Sequence, residues 1–283
     1  MEELSDFSAS QKETENRRGD ETLDPIKTYL GDLFTDYKAG LLSDEEYIQE
    51  QVKHARAQGM IDKRTGFYNL EGLQEKLDEA LEISINHNIP FTVAYIDGDK
   101  FKSINDEISH EAGNEAIAAM AIGIKNATRS YDVQAAMGES QNGKIGFNGT
   151  VEEARPHGDE FVVVLYGITV EQAMQYGIGL RILNGISNSV TNKVTSIKDK
   201  FGGFTASAGF ADFIPEIYRE LSPEDKKGYK SSLLNRADEA LKVVKKSKKE
   251  KNYQNRNDIG VSFFDRQTRR VQPAVLRELK QAD

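Results

Sequence analysis

Apolar residues Leu70, Leu73, Leu77, Leu81 and Ile85 recur at the spacing of one helical face and predict an amphipathic helix. Phe91-Thr92-Val93-Ala94-Tyr95-Ile96 is a run of strand formers that ends in Asp97. Glu111 to Thr128 returns to helical spacing, and residues 155–166 read as a hairpin whose second arm is Val162-Val163-Val164-Leu165-Tyr166. Thr169 and Gln172 form a capping-box pattern that opens a helix to about Ser187. Phe204 to Phe210 alternates as a strand, Ser231 to Lys246 is helical, and Ile259 to Phe264 closes as a strand. Strands and helices alternate around a central hairpin. That order predicts an α+β fold with a split, ferredoxin-like sheet rather than a doubly wound one.

Outside these elements the pattern changes. Residues 1–22 are polar and charged and predict a disordered tail. In the segment 23–60, Asp24-Pro25 starts a helix carrying Ile26, Tyr29, Leu30, Leu33, Phe34 and Tyr37 on one face. Gly40 stops it, and Ser43 with Glu46 opens a second helix to about Gly59, so this appendage reads as a helical hairpin. The main domain spans 61–265. Within it, Gln134 to Glu153 is rich in Gly and Asn and reads as an insertion, with a small hairpin around Lys144 to Phe147. Phe213 to Lys230 holds Pro215 and Ser222-Pro223-Glu224 and reads as a loop with one helical turn. Residues 266–283 form a polar C-terminal tail, either a partner-binding helix or a plain extension.

Composition narrows the function. The 283 residues carry 37 Lys and Arg against 46 Asp and Glu, a net charge of −9 that argues against a nucleic-acid binder. There is no apolar run long enough for a bilayer and no signal-peptide pattern at the acidic start, so a cytoplasmic protein without membrane contact is expected. The absence of Cys excludes disulfides, thiolate metal sites and a Cys nucleophile.

The candidate chemistry lies at two strand ends. Arg155-Pro156-His157-Gly158-Asp159-Glu160-Phe161 places two acids after a glycine, and Asp97-Gly98-Asp99 ends another strand. Taken singly, such acids are solvated loop residues. Paired at adjacent strand ends, they offer a divalent cation the hard oxygen ligands that phosphoryl transfer needs. The run Lys242 to Lys251 suits a solvated helix end, whose cations oppose the dipole.

From about Asp62 to Asp265 these residues resemble the GGDEF family of bacterial diguanylate cyclases. Asp62-Lys63-Arg64-Thr65-Gly66-Phe67-Tyr68-Asn69 is similar to its opening D-x-L-T-G-L-x-N. Asp97-Gly98-Asp99-Lys100-Phe101-Lys102-Ser103-Ile104-Asn105-Asp106 is similar to D-x-D-x-F-K-x-x-N-D, and His110 to Asn114 continue it as H-x-x-G-D except at the last position. Arg155 to Phe161 resembles R-x-G-G-D-E-F, and Ala237 to Leu241 followed by Lys245 resembles A-D-x-A-L-Y-x-A-K.

The resemblance implies a palm-type antiparallel sheet with flanking helices, and a homodimer that condenses two GTP into cyclic di-GMP. The 3′-hydroxyl of one nucleotide would attack the α-phosphate of the other. It assigns Mg2+ or Mn2+ to Asp97, the Gly98 backbone, Asp159 and Glu160, and catalytic roles to Asp159, Glu160 and Lys102. Phe101, Asn105, His110, Asn114, Arg155, Gly158, Lys245 and Lys249 fall at nucleotide-binding positions, and Arg129 with Asp132 resembles the R-x-x-D product-inhibition motif. Two positions depart from the pattern. His157 replaces the first signature Gly, where its bulk is expected to crowd the phosphate or strain the hairpin. Asn114 replaces an Asp that accepts from guanine, which is expected to weaken guanine preference or admit adenine. Two functions therefore stay open: a cyclase, and a catalytically weak module that binds GTP or cyclic di-GMP for regulation.

Overall fold

The structure is a computed structural model that describes residues 35–43, 46–47, 49–51, 59–128, 151–250, 257–265 and 270–275. The chain divides into two units, Met1–His54 and Ala55–Asp283. In the first, a helical turn at 35–38 ends at Gly40, whose φ is 72°. Ser43 and Glu46 make the reciprocal capping bonds, 2.9 Å and 3.3 Å, and the rings of Tyr37 and Tyr47 stack at 4.5 Å.

The second unit contains helices α1 (Leu70–His87), α2 (Phe101–Glu107), α3 (His110–Thr128), α4 (Val170–Gln175), α5 (Ile178–Lys193), α6 (Thr195–Phe201), α7 (Pro215–Glu220), α8 (Pro223–Ser231) and α9 (Leu233–Glu250). Its strands are β1 (Phe91–Gly98), β2 (Val151–His157), β3 (Glu160–Tyr166), β4 (Ala206–Phe213), β5 (Asp258–Asp265) and β6 (Arg270–Val275). They form one sheet in the order β2-β3-β1-β4-β5-β6. β1 is antiparallel to both neighbours, with Asp97 opposite Glu160 on one side and Ser207 on the other.

The α+β class and its flanking helices are as expected, but the sheet is not wholly antiparallel. β4 and β5 run parallel, because α9 carries the chain back between them. One face of the sheet buries Ala94, Ile96, Phe161, Val163, Ala208 and Phe210 against Ala116, Met120 and Ile124 of α3 and Ile182 and Ile186 of α5. α9 covers β4 and β5 from the other face. Its Leu241 is 3% exposed, and truncating it to Ala would cost about 2–5 kcal/mol.

Several boundaries differ from expectation for local reasons. The helix from Val170 breaks at Gly177, which adopts φ 68°, and resumes to Lys193. The stretch read as a loop with one helical turn holds two short helices, each with Pro in its first turn. α2 between the two acidic motifs carries too few apolar residues for the periodicity to reveal it. β2 starts at Val151, so Val151 to Glu153 belong to the signature hairpin and not to an insertion. The rest of that stretch, including Lys144 to Phe147, lies outside the described residues. In the C-terminal segment, Arg270 to Val275 form β6 on the free edge of β5, a strand where a helix or extension was expected.

Candidate active site

β2 and β3 meet in a turn at Gly158 and Asp159, closed by the pair His157 and Glu160. Gly158 has φ 56°, which a residue with a Cβ adopts at a cost of about 1 kcal/mol or more. That demand falls on Gly158 alone. Among the described non-glycine residues only Asn88 and Lys100 have positive φ, so His157 lies in ordinary backbone and the expected strain is absent. Its side chain is 68% exposed, and Nε2 lies 2.9 Å from Glu160 Oε2.

Arg155 braces this turn. Its Nε and one terminal nitrogen donate to the Gly158 carbonyl at 2.9 Å and 2.7 Å, while the other donates to Asp62 Oδ2 at 2.8 Å. Burial opposes ionisation of Asp62, but hydrogen bonds from Thr65 and the Arg155 charge outweigh it and hold the carboxyl below its usual range. Arg155 thus acts on the backbone that presents Asp159.

The acids gather where the strand ends adjoin. Asp97, Glu160 and Ser207 are cross-strand neighbours and share a face of the sheet. Burial pushes the Asp97 carboxyl up to about 6; the Lys245 ammonium, paired with it, opposes that rise, while Asp159 and Glu160 add to it. Asp159 is also raised, chiefly by burial, although its own backbone N–H and that of Gly98 donate to it. Glu160 Oε2 accepts from the Tyr95 hydroxyl at 2.9 Å, and burial followed by that hydrogen bond raises the Tyr95 phenol. Tyr95 was not foreseen, although it lies two residues from Asp97 and so on the same side of β1.

Among the described residues, no three His, Asp or Glu side chains already converge as a metal cage. Asp97 holds Lys245, and Glu160 holds His157 and Tyr95. The donor set nevertheless suits a hard divalent cation: carboxylates that oppose one another's ionisation, beside a lysine that already supplies positive charge.

Asp99 serves a different purpose. Its oxygens accept from Thr205 Oγ1 at 2.6 Å, Ser207 Oγ at 2.8 Å and Lys248 Nζ at 2.5 Å, and its side chain is 10% exposed. Lys248 is 3% exposed, not the solvated lysine expected of this helix end. The signal was present in helical phase: Leu241, Val244 and Lys248 follow one inward stripe of α9. Of the two lysines at nucleotide-binding positions on this helix, Lys249 is exposed and Lys245 is half-buried.

Phe101 is 9% exposed and packs into the core. Asn105 lies so close to α3 that a Cβ on Gly113 would sit 2.0 Å from its Oδ1, so a side chain there would push the Asn105 amide out of this position. Lys102, His110 and Asn114 are exposed around this α2–α3 corner. Arg129 and Asp132 lie outside the described residues. A groove of about 790 Å3 runs between α1 and the α8–α9 region and contains none of these residues. A second hollow of about 450 Å3 ends on Asp99 and Lys100. No helix among the described residues is long and apolar enough to cross a membrane.

The family model described as diguanylate cyclase, GGDEF domain, matches residues 59–141. The chain is 30% identical over 127 residues to a probable diguanylate cyclase, DgcC, of Escherichia coli, covering 45% of this chain and 29% of that protein. It is 25% identical over 211 residues to the response regulator PleD of Caulobacter vibrioides, covering 71% of this chain and 37% of the relative. The chain therefore spans well under half the length of these relatives. Among solved structures, it is similar to the coiled coil and GGDEF domain of DgcB from Caulobacter crescentus in complex with c-di-GMP, with a TM-score of 0.49 and 20% identity over 81% of this chain and 98% of that one. A GGDEF-only form of TpbB from Pseudomonas aeruginosa gives 0.45 at 23% identity, covering 70% and 93% of the two chains.

Proposed function

We propose that this chain, a member of the GGDEF family, is a diguanylate cyclase that condenses two GTP into cyclic di-GMP as a homodimer, one nucleotide per subunit. The observation that carries this reading is the meeting of Asp97, Asp159 and Glu160 at adjacent strand ends beside Lys245. Asp97, Asp159, Glu160 and the Gly98 carbonyl would hold Mg2+ or Mn2+, which when bound neutralises the triphosphate and acidifies the attacking hydroxyl. Lys102 and Lys245 supply further positive charge for the phosphates. Gly158 keeps the turn free of a side chain where the nucleotide approaches. Asn105, packed against Gly113, and exposed Asn114 would face the purine from the α2–α3 corner.

A second reading, a regulatory module that binds GTP or cyclic di-GMP with little turnover, is favoured by the His157–Glu160 contact, which occupies one of the metal-binding acids. Incubating the purified chain with GTP and Mg2+ and assaying for a cyclic dinucleotide separates the two. Formation of cyclic di-GMP supports the cyclase; GTP binding without turnover retires it in favour of the module.

A further inference from the structure

We propose that Lys248 is a positioning residue for the nucleotide site, acting through Asp99 to fix the junction between β1 and α2. The inference rests on the cyclase reading for its functional consequence and on geometry for its substance. Lys248 Nζ lies 2.5 Å from Asp99 Oδ2 and 2.9 Å from Ser207 Oγ. The backbone N–H of Asp99 donates to the Thr205 carbonyl at 2.9 Å. Asp99 is thus held by β4 through backbone and side chain, and by α9 through a buried cation.

The residues just beyond Asp99 give this clamp its importance. Lys100 adopts φ 56° without being glycine, a conformation costing about 1–2 kcal/mol that must be held by its surroundings. α2 then begins at Phe101 and carries Lys102 and Asn105. With only seven residues, α2 has little stability of its own, so its direction depends on the junction that launches it. The hollow of about 450 Å3 lined by Asp99, Lys100, Ile104, Phe201 and Phe204 leaves α2 without full packing on that side. The clamp compensates there. Lys245, one turn earlier on α9, reaches Asp97, so the same helix sets both motif acids.

Removing Lys248 alone leaves the Asp99 carboxylate buried without its cation, whereas removing both charges leaves an amide that Thr205 and Ser207 can still satisfy. The test uses the full chain as wild type, Lys248→Met, Lys248→Arg and the double variant Asp99→Asn with Lys248→Met. GTP affinity is measured by calorimetry, cyclic dinucleotide formation by KM and kcat, and amide exchange over residues 99–107 by mass spectrometry. Lys248→Met is expected to raise the GTP Kd and KM about tenfold with kcat within about threefold, and to speed exchange over 99–107. The arginine and double variants should recover most of both effects. Wild-type affinity and exchange in Lys248→Met would overturn the assignment, as would a double variant no better than the single one. If Lys248→Met does not fold, a double variant that folds and binds GTP supports the pairing, and one that fails to fold overturns it. If the wild type neither binds nor converts GTP, the cyclase reading falls, and the exchange of residues 99–107 alone decides the role of Lys248.

Discussion

Asp62 and Arg155, 93 residues apart in sequence, meet in a 2.8 Å ion pair whose side chains are 20% and 14% exposed. The same guanidinium grips the Gly158 carbonyl with two N–H groups, so the opening motif of the domain and the signature turn are one mechanical unit. Lysine has no fork with which to hold both partners. Arg155→Lys is expected to cost about 2 kcal/mol in urea denaturation and to lower cyclic dinucleotide formation, with Gly158 and Asp159 intact.

His157→Gly is expected to help rather than harm. The histidine is mostly exposed and unstrained, and its bond to Glu160 competes with any cation there. An exposed pair is worth about 0–1 kcal/mol, so Mn2+ affinity, followed by paramagnetic relaxation of water, should rise by up to about fivefold. Lower affinity would mean that the imidazole supports the site.

Asp159→Asn should separate stability from function. Burial raises this carboxyl, so the folded state disfavours its charged form, and stability is lost as pH rises through the shifted titration. Without metal at neutral pH, the amide variant is expected to melt at a higher temperature than the wild type. If Asp159 holds the cation as proposed, turnover should drop at least about a hundredfold.

Glu152 offers a pH signature away from the site. Its carboxyl is pushed from 4.5 up to about 7 by burial, opposed by Lys76 and reinforced by Glu79 and Glu153. Tyr68 completes the cluster, with Lys76 Nζ 5.4 Å from its ring centre. The folded state therefore holds its proton more tightly, and stability falls as pH rises from about 4.5 to 7, by on the order of 3 kcal/mol. Glu152→Gln is expected to flatten this slope in urea titrations across that window.

Asn114→Asp tests purine choice. Asn114 is exposed at the α2–α3 corner, and its amide presents both donors and an acceptor. A carboxylate there is expected to favour GTP over ATP by about tenfold more than the amide does, as two guanine N–H groups gain a charged acceptor. Unchanged competition between the two nucleotides would remove Asn114 from the base pocket.

Much of this was legible because periodicity and turn chemistry act locally. The Thr169–Gln172 capping box and the strand that carries Asp97 form as their patterns indicate. Gly158 announced the turn, but which signature position needs glycine depends on φ, and His157 does not. The partner of Asp99 was less accessible, because a lysine in a run of lysines looks solvated until its helical phase is compared with Leu241 and Val244. The break at Gly177 was hidden because the apolar spacing continues past it, from Val170 and Ala173 to Ile178 and Ile182. β6 lies in a segment whose composition is that of a tail, and its role comes only from the free edge of β5.

The outer strand β2 has a bearing on how two such chains can associate. It contains Pro156, which has no N–H to donate, and its register shifts between Ala154 and His157. Tyr68 already takes up the groups beside that irregularity, donating to the Glu153 carbonyl at 3.0 Å and accepting from the Arg155 N–H at 2.7 Å. Among the described residues, this shortens the run of main-chain groups that a neighbouring strand could extend. An association of two such chains through this hairpin would therefore rest on side chains rather than on an added strand.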